Sequence, residues 1–266
     1  MNKEALVLEP ETIAFYQAAM KAFAEGGVPF LVGGAYAFAK YTGVTRHTKD
    51  FDVFVRKTDG QRALDVLAAA GYRTEMTFPH WLGKAWKGDD FVDVIFSAGN
   101  GVAVVDEQWF DRAPDGVVFD MNVKLIPAEE MIWSKGFIME RERFDGADIA
   151  HVILARGDKL DWKHLIERFG ASWRVLFTHV LLFGFIYPGS RAAIPKWVMD
   201  EMLTRVKNEN GNASGEEEGL CRGTLISRQQ YLIDLERGLQ DARLQPLGKM
   251  SRQEIDYWTA AIGVID

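Results

Sequence analysis

A chain of 266 residues, 48% hydrophobic and 26% charged, can bury a sizeable core in one or two domains and is too apolar for wholesale disorder. Its formal net charge of -7 disfavours broad, charge-driven binding to long nucleic acid, which needs a basic footprint, but leaves room for a local basic groove. The single cysteine, Cys221, excludes an internal disulfide, and Met1-Asn2-Lys3-Glu4 does not open a secretory signal, so a cytoplasmic protein is expected.

Pro10 to Gly26 reads as an amphipathic helix, with proline near its start and Gly26-Gly27 at its end. Phe30 to Val32 is predicted as a short buried strand, Ala35 to Tyr41 as a helix opened by glycines, and Phe51 to Val55 as a strand rich in aromatic and β-branched residues. Asp59 to Ala70 follows as a helix whose Leu64, Leu67 and Ala68 share a face, stopped by Gly71. Tyr72 to Thr77, Leu82 to Trp86 and Phe91 to Phe96 are strand-like, and the Gly88-Asp89-Asp90 turn predicts a hairpin between the last two. From Pro127 the pattern is helical: Pro127 to Met139, Asp145 to Ala155, Asp161 to Phe169, Ser172 to Tyr187 and Pro195 to Lys207. The longest apolar run, Val175 to Tyr187, contains His179 and is too short for a bilayer, so a buried helix and no membrane contact are expected. Asn208 to Gly219 reads as a loop, and helices over Arg228 to Leu239 and Arg252 to Ile262 complete the chain. The expected fold class is α+β, with a small mixed β-sheet flanked by helices in residues 1–125 and an all-helical region in residues 126–266.

Asp50 and Asp52 stand one residue apart at the start of a predicted strand, so they share a face, with Phe51 and Val53 on the other. At roughly 4 Å and an effective dielectric near 20, two such charges repel by about 4 kcal/mol. A cation offsets that cost, and paired carboxylates suit a hard divalent ion such as Mg²⁺. Phe91-Val92-Asp93-Val94-Ile95-Phe96 places a third acid in an otherwise apolar strand, where a buried carboxylate needs a partner. If Asp93 lies beside Asp50 and Asp52, the three carboxylates can hold one or two Mg²⁺ ions and support phosphoryl transfer. Gly33 and Gly34 let backbone approach a phosphate closely, and the helix they open points its free N–H groups at that anion. Arg46 and Lys49, just before the acids, are candidate phosphate-steering cations. Asp89 and Asp90 read as turn residues, and His151, His164 and His179, at no ligand spacing, as structural.

Gly-Gly, a helix, Asp-x-Asp on a strand and a single Asp on a later strand are together similar to the nucleotidyltransferase superfamily of DNA polymerase β, CCA-adding enzymes and aminoglycoside nucleotidyltransferases. The resemblance covers about residues 28 to 97. It implies an NTP donor, Mg²⁺ held by Asp50, Asp52 and Asp93, and Gly33-Gly34 as the glycine motif. The Arg-Asp pair that CCA-adding enzymes carry after their glycines is absent here, which argues against tRNA end synthesis. Further on, Trp133-Ser134-Lys135-Gly136 and Arg141-Glu142-Arg143-Phe144-Asp145-Gly146-Ala147-Asp148 look like a loose match to the toxin-type (AbiEii-like) branch. By that match Lys135 approaches the triphosphate, and Asp145 or Asp148 orders the site. A plain helix start, with an acid at the N-cap and another three residues on, accounts for the same two acids.

The expected function is therefore Mg²⁺-dependent transfer of NMP from an NTP to an acceptor hydroxyl. The acceptor is a small molecule, a protein or an RNA end; if the chain is the toxin of a toxin–antitoxin pair, an antitoxin protein is its partner. A catalytically silent nucleotide-binding or protein-interaction module of the same fold, and a metal-dependent glycosyltransferase, are the competing readings. The second is disfavoured because little chain precedes Asp50 for a nucleotide-sugar-binding sheet.

Overall fold

In the computed structural model, which describes residues 8–46, 48, 50–209 and 217–262, the chain divides into two units, Met1–Pro127 and Ala128–Asp266. The first begins with α1 (Pro10–Glu25), whose leading proline occupies a position where its missing N–H leaves no helical bond unmade. Phe15, Tyr16, Ala19, Met20 and Phe23 recur at helical spacing and are buried. The chain then forms β1 (Leu31–Val32), α2 (Gly34–Thr42), β2 (Asp50–Phe54), a short 3-10 turn at Lys57–Asp59 and α3 (Gly60–Ala69). Next come β3 (Arg73–Phe78), β4 (Leu82–Lys87), β5 (Asp90–Ile95), α4 (Glu107–Asp111), β6 (Asp115–Val118) and β7 (Met121–Lys124).

Five strands make one mixed sheet in the order β1-β2-β5-β4-β3. Only the central pair, β2 and β5, runs parallel; its neighbours are antiparallel. One sheet face is apolar. Phe51, Val53, Val92 and Val94 are fully buried there, and α1 and α3 pack against the sheet. Gly83 belongs to this face, where a Cβ would come within 2.8 Å of Leu64 Cδ1 from α3. Tyr16 stacks on Phe51 with ring centroids 4.7 Å apart, and Tyr36 and Phe119 join the same aromatic cluster.

The α+β expectation and the order of its main elements hold in this unit. The β6–β7 hairpin and α4 were not anticipated. Phe119 and Asp120 form the hairpin's tip with φ of 48° and 58°, positive values that a sequence reader looks for at Asn-Gly or Asp-Gly. The Phe119 ring packs 4.9 Å from that of Tyr36, and its carbonyl accepts a 2.8 Å hydrogen bond from Gln17, contacts that offset the backbone strain.

The second unit contains α5 (Ala128–Gly136), α6 (Gly146–Arg156), α7 (Trp162–Phe169), α8 (Trp173–Ile186) and α9 (Lys196–Asn208). After these come β8 (Leu220–Cys221), α10 (Leu232–Glu236), β9 (Gln240–Asp241) and α11 (Arg252–Ala260). The expectation of an all-helical region needs one correction, because β8 and β9 form a two-residue parallel pair. The helix expected over Arg228 to Leu239 shrinks to the five residues of α10. Much of the expected loop over Asn208 to Gly219, residues 210–216, lies outside the described residues.

Trp162–Ile186 is long and apolar enough for a membrane span by length and composition alone. Gly170, with φ of 46°, lies where α7 ends. α7 and α8, of 8 and 14 residues, are each shorter than the ~20 residues a span requires. Within this unit Glu130 is fully buried, and its Oε1 lies 2.8 Å from His164 Nε2 and accepts from Arg168 Nε at 3.0 Å. His179 Nε2 sits 2.8 Å from the Gly136 carbonyl. Both histidines are structural, as their spacing suggested.

Candidate active site

β2 and β5 bring the acids together. Their parallel register sets Asp52 beside Asp93 and Asp50 beside Phe91. Side chains alternate along a strand, so Asp50, Asp52 and Asp93 all belong to the face opposite Phe51, Val53, Val92 and Val94. Asp93 is buried, at 9% exposure, while Asp50 and Asp52 are half-buried.

Across the β4–β5 hairpin, Lys84 stands opposite Asp93, and its Nζ lies 2.8 Å from Asp93 Oδ1. The same ammonium is 4.4 Å from the centroid of the Phe91 ring. Glu75 of β3 pairs with Lys84 in turn, so a row Asp52, Asp93, Lys84, Glu75 crosses four strands. A second row, Asp50, Phe91, Trp86, Arg73, runs beside it, with the Arg73 guanidinium 4.5 Å from the Trp86 ring centroid. Burial pushes the Asp93 carboxyl above the usual carboxylate range; Lys84 counters part of that rise and Asp50 adds to it.

Gly33 and Gly34 fix the other side of Asp52. The Gly33 N–H donates to the Asp52 carbonyl at 3.0 Å. A Cβ on Gly33 would overlap the Phe54 ring. Gly34 opens α2 with φ of 52°, and a Cβ there would overlap Asp52 Oδ2 and lie 2.7 Å from its Cγ. The carboxylate thus rests against the first turn of a nine-residue helix, whose N-terminal N–H groups favour negative charge. Behind the sheet, the Tyr16 hydroxyl is pushed up to about 12 by burial first, and then by Asp90, Asp50, Asp52 and Asp93. Burial, Tyr16, Asp52 and Asp50 raise Tyr36 as well.

The sequence expectation is revised in one respect. Among the described residues no three His, Cys, Asp or Glu side chains are grouped to hold a metal ion together. Asp93 has a counter-charge of its own in Lys84, a residue the sequence reading missed. The signal was present: a two-residue loop at Gly88-Asp89 sets Lys87 opposite Asp90, and counting outward reaches Lys84 and Asp93. The oxygen donors of Asp50 and Asp52, half-buried on one face, still suit a hard divalent cation, so those two residues fit the ion that the resemblance implies.

The Arg46 guanidinium is 4.6 Å from the Phe38 ring centroid, and Lys49 falls outside the described residues. Lys135, Asp145 and Asp148 form their own cluster in the second unit, with Lys135 Nζ 2.7 Å from Asp145 Oδ2 and 2.9 Å from Asp148 Oδ2. Asp145 stands at the α6 N-cap position, but its side chain does not cap the helix. Burial would raise its carboxyl, yet Lys135 and Arg143 outweigh that and hold it below the usual range. The second unit also has a cavity of about 320 Å³ lined by Phe137, Arg174, Arg222, Leu225 and Tyr231, among others.

No protein-family model and no curated protein sequence matches the chain. Solved structures do. The antibiotic-resistance factor ANT(2'')-Ia, in its solution structure, is 19% identical over 65% of this chain and 98% of its own, with a TM-score of 0.45. The lincosamide antibiotic adenylyltransferase LnuA, lincomycin-bound, is 18% identical over 53% of this chain and 95% of its own, with a TM-score of 0.38. An antigenic nucleotidyltransferase-like protein from Paracoccidioides brasiliensis is 13% identical over 65% of this chain and 93% of its own, with a TM-score of 0.36. At these scores the likeness carries no weight for function.

Proposed function

We propose that this protein is a metal-dependent nucleotidyltransferase that moves NMP from an NTP to an acceptor hydroxyl. The observation that carries the reading is the in-register pairing of Asp52 with Asp93 on parallel central strands, with Asp50 on the same face and Gly34 pressed against the Asp52 carboxylate. In the reaction the acceptor oxygen bonds to the α-phosphorus, the bond from that phosphorus to the bridging oxygen breaks, and pyrophosphate leaves. A divalent ion supplies charge neutralisation at the phosphate oxygens. Asp50 and Asp52 would hold it. Asp93 is the candidate to receive the acceptor's proton. The N-terminal turn of α2 supplies N–H groups for phosphate oxygens. Most of the rate gain would come from positioning and preorganised charge.

The helical unit is proposed to supply the acceptor's pocket. The acceptor is a hydroxyl-bearing small molecule, a protein side chain or an RNA end, and the lone, buried Cys221 suits action in the cytosol.

The test is pyrophosphate release with each NTP and a panel of hydroxyl acceptors, together with calorimetric binding of a nonhydrolysable NTP in the presence of Mg²⁺. Asp52→Asn is expected to remove turnover by several orders of magnitude. Nucleotide binding without pyrophosphate release from any acceptor would make the protein a binding module. Preference for nucleotide sugars would make it a glycosyltransferase.

A further inference from the structure

The geometry points to Lys84 as a resident cation that takes the place of a second divalent ion, so that the site holds one ion, on Asp50 and Asp52, with Asp93 kept out of the coordination shell. The inference rests on the nucleotidyl-transfer reading and specifies how many ions that site takes.

Asp93 has two in-register neighbours on its own face of the sheet, Asp52 on β2 and Lys84 on β4. Its Oδ1 is 2.8 Å from the Lys84 ammonium, so a metal ion bound there would have a like charge as its immediate neighbour. Lys84 is not a loose surface lysine. The two-residue loop at Gly88-Asp89 fixes the register that sets it opposite Asp93, its ammonium lies over the Phe91 ring, and only 22% of its side chain is exposed. Asp50 and Asp52 lie on the strand beyond, and the helix start at Gly34 borders Asp52 on the side away from Asp93. Lys84 is therefore a positioning residue: it holds the Asp93 carboxylate and supplies one fixed positive charge where a second ion would otherwise sit.

Electron paramagnetic resonance of Mn²⁺ tests this on the full chain, in excess over a nonhydrolysable NTP analogue. The wild-type protein is expected to hold one Mn²⁺ per bound nucleotide, with no broadening from a second ion a few ångströms away. Lys84→Met should admit a second Mn²⁺ and bring the coupled, broadened signal. Asp93→Asn should leave the count at one and its affinity within about twofold of wild type. Two coupled ions in the wild type, or one in a folded Lys84→Met, would overturn the inference and leave nucleotidyl transfer standing. No ion bound with nucleotide would end both. The wild-type count decides the matter even if Lys84→Met does not fold.

Discussion

Gly34 and Asp52 constrain each other through space. Gly34 has a φ of 52°, a region that costs an L-residue roughly 1–2 kcal/mol, and its missing Cβ leaves room for Asp52 Oδ2. Gly34→Ala should therefore lower the melting temperature by several degrees and displace the carboxylate. With reacting groups shifted by about 1 Å, turnover should fall on the order of a hundredfold. Thermal unfolding and steady-state kinetics check the two effects separately. Asp52→Asn should behave in the opposite way. It removes one of two like charges set side by side, so the unliganded protein is expected to melt at the same temperature or higher while activity is lost. A melting temperature that fell as far as that of Gly34→Ala would show that Asp52 is held for stability. These residues were legible in the sequence because residue type and period-2 spacing alone place them. Lys84 was not singled out, because lysines are common on exposed strands and its meaning came only from the residue opposite it.

At the level of elements, α5 and α6 are joined by Lys135, whose ammonium lies between Asp145 and Asp148 at 2.7 and 2.9 Å. Lys135→Met would leave two largely buried carboxylates without their shared partner, and a loss of about 2–4 kcal/mol is expected in chemical denaturation. Acid should act on the same unit in two steps. Burial lowers the His179 value below 6.5, so its contribution is complete above that pH and is lost as pH falls toward the depressed value. Asp145 is held below 3.8, so its contribution disappears only as pH drops through that lower range. A stability-pH profile of His179→Gln should lack the first step and keep the second. The long periodic helices and the β4–β5 hairpin could be read in advance from hydrophobic spacing and from Gly88. The β6–β7 hairpin could not, because its turn uses Phe119 and Asp120 and its strands are held partly by aromatic packing from α1 and α2. β8 and β9 were hidden for a different reason: two-residue strands have no periodicity to detect.

For the whole molecule, the division near Pro127 separates a sheet whose strand pairs all lie within the first unit from a mainly helical second unit. A fragment of residues 1–127 is expected to give a cooperative thermal transition with circular dichroism of mixed helix and strand; a featureless melt would show that the sheet cannot stand alone. The pairing of Asp52 with Asp93 joins strands separated along the chain by α3, β3 and β4, and the Val32 edge is completed by a bridge to Leu125. Contacts of that range close late, after the loop-closure entropy between them has been overcome. A nascent chain on the ribosome, or one trapped partway through refolding, therefore has its glycine turn and first two acids long before it has a working centre. The proposed chemistry needs the finished sheet, so recovered turnover would report completed folding more sharply than recovered helix content.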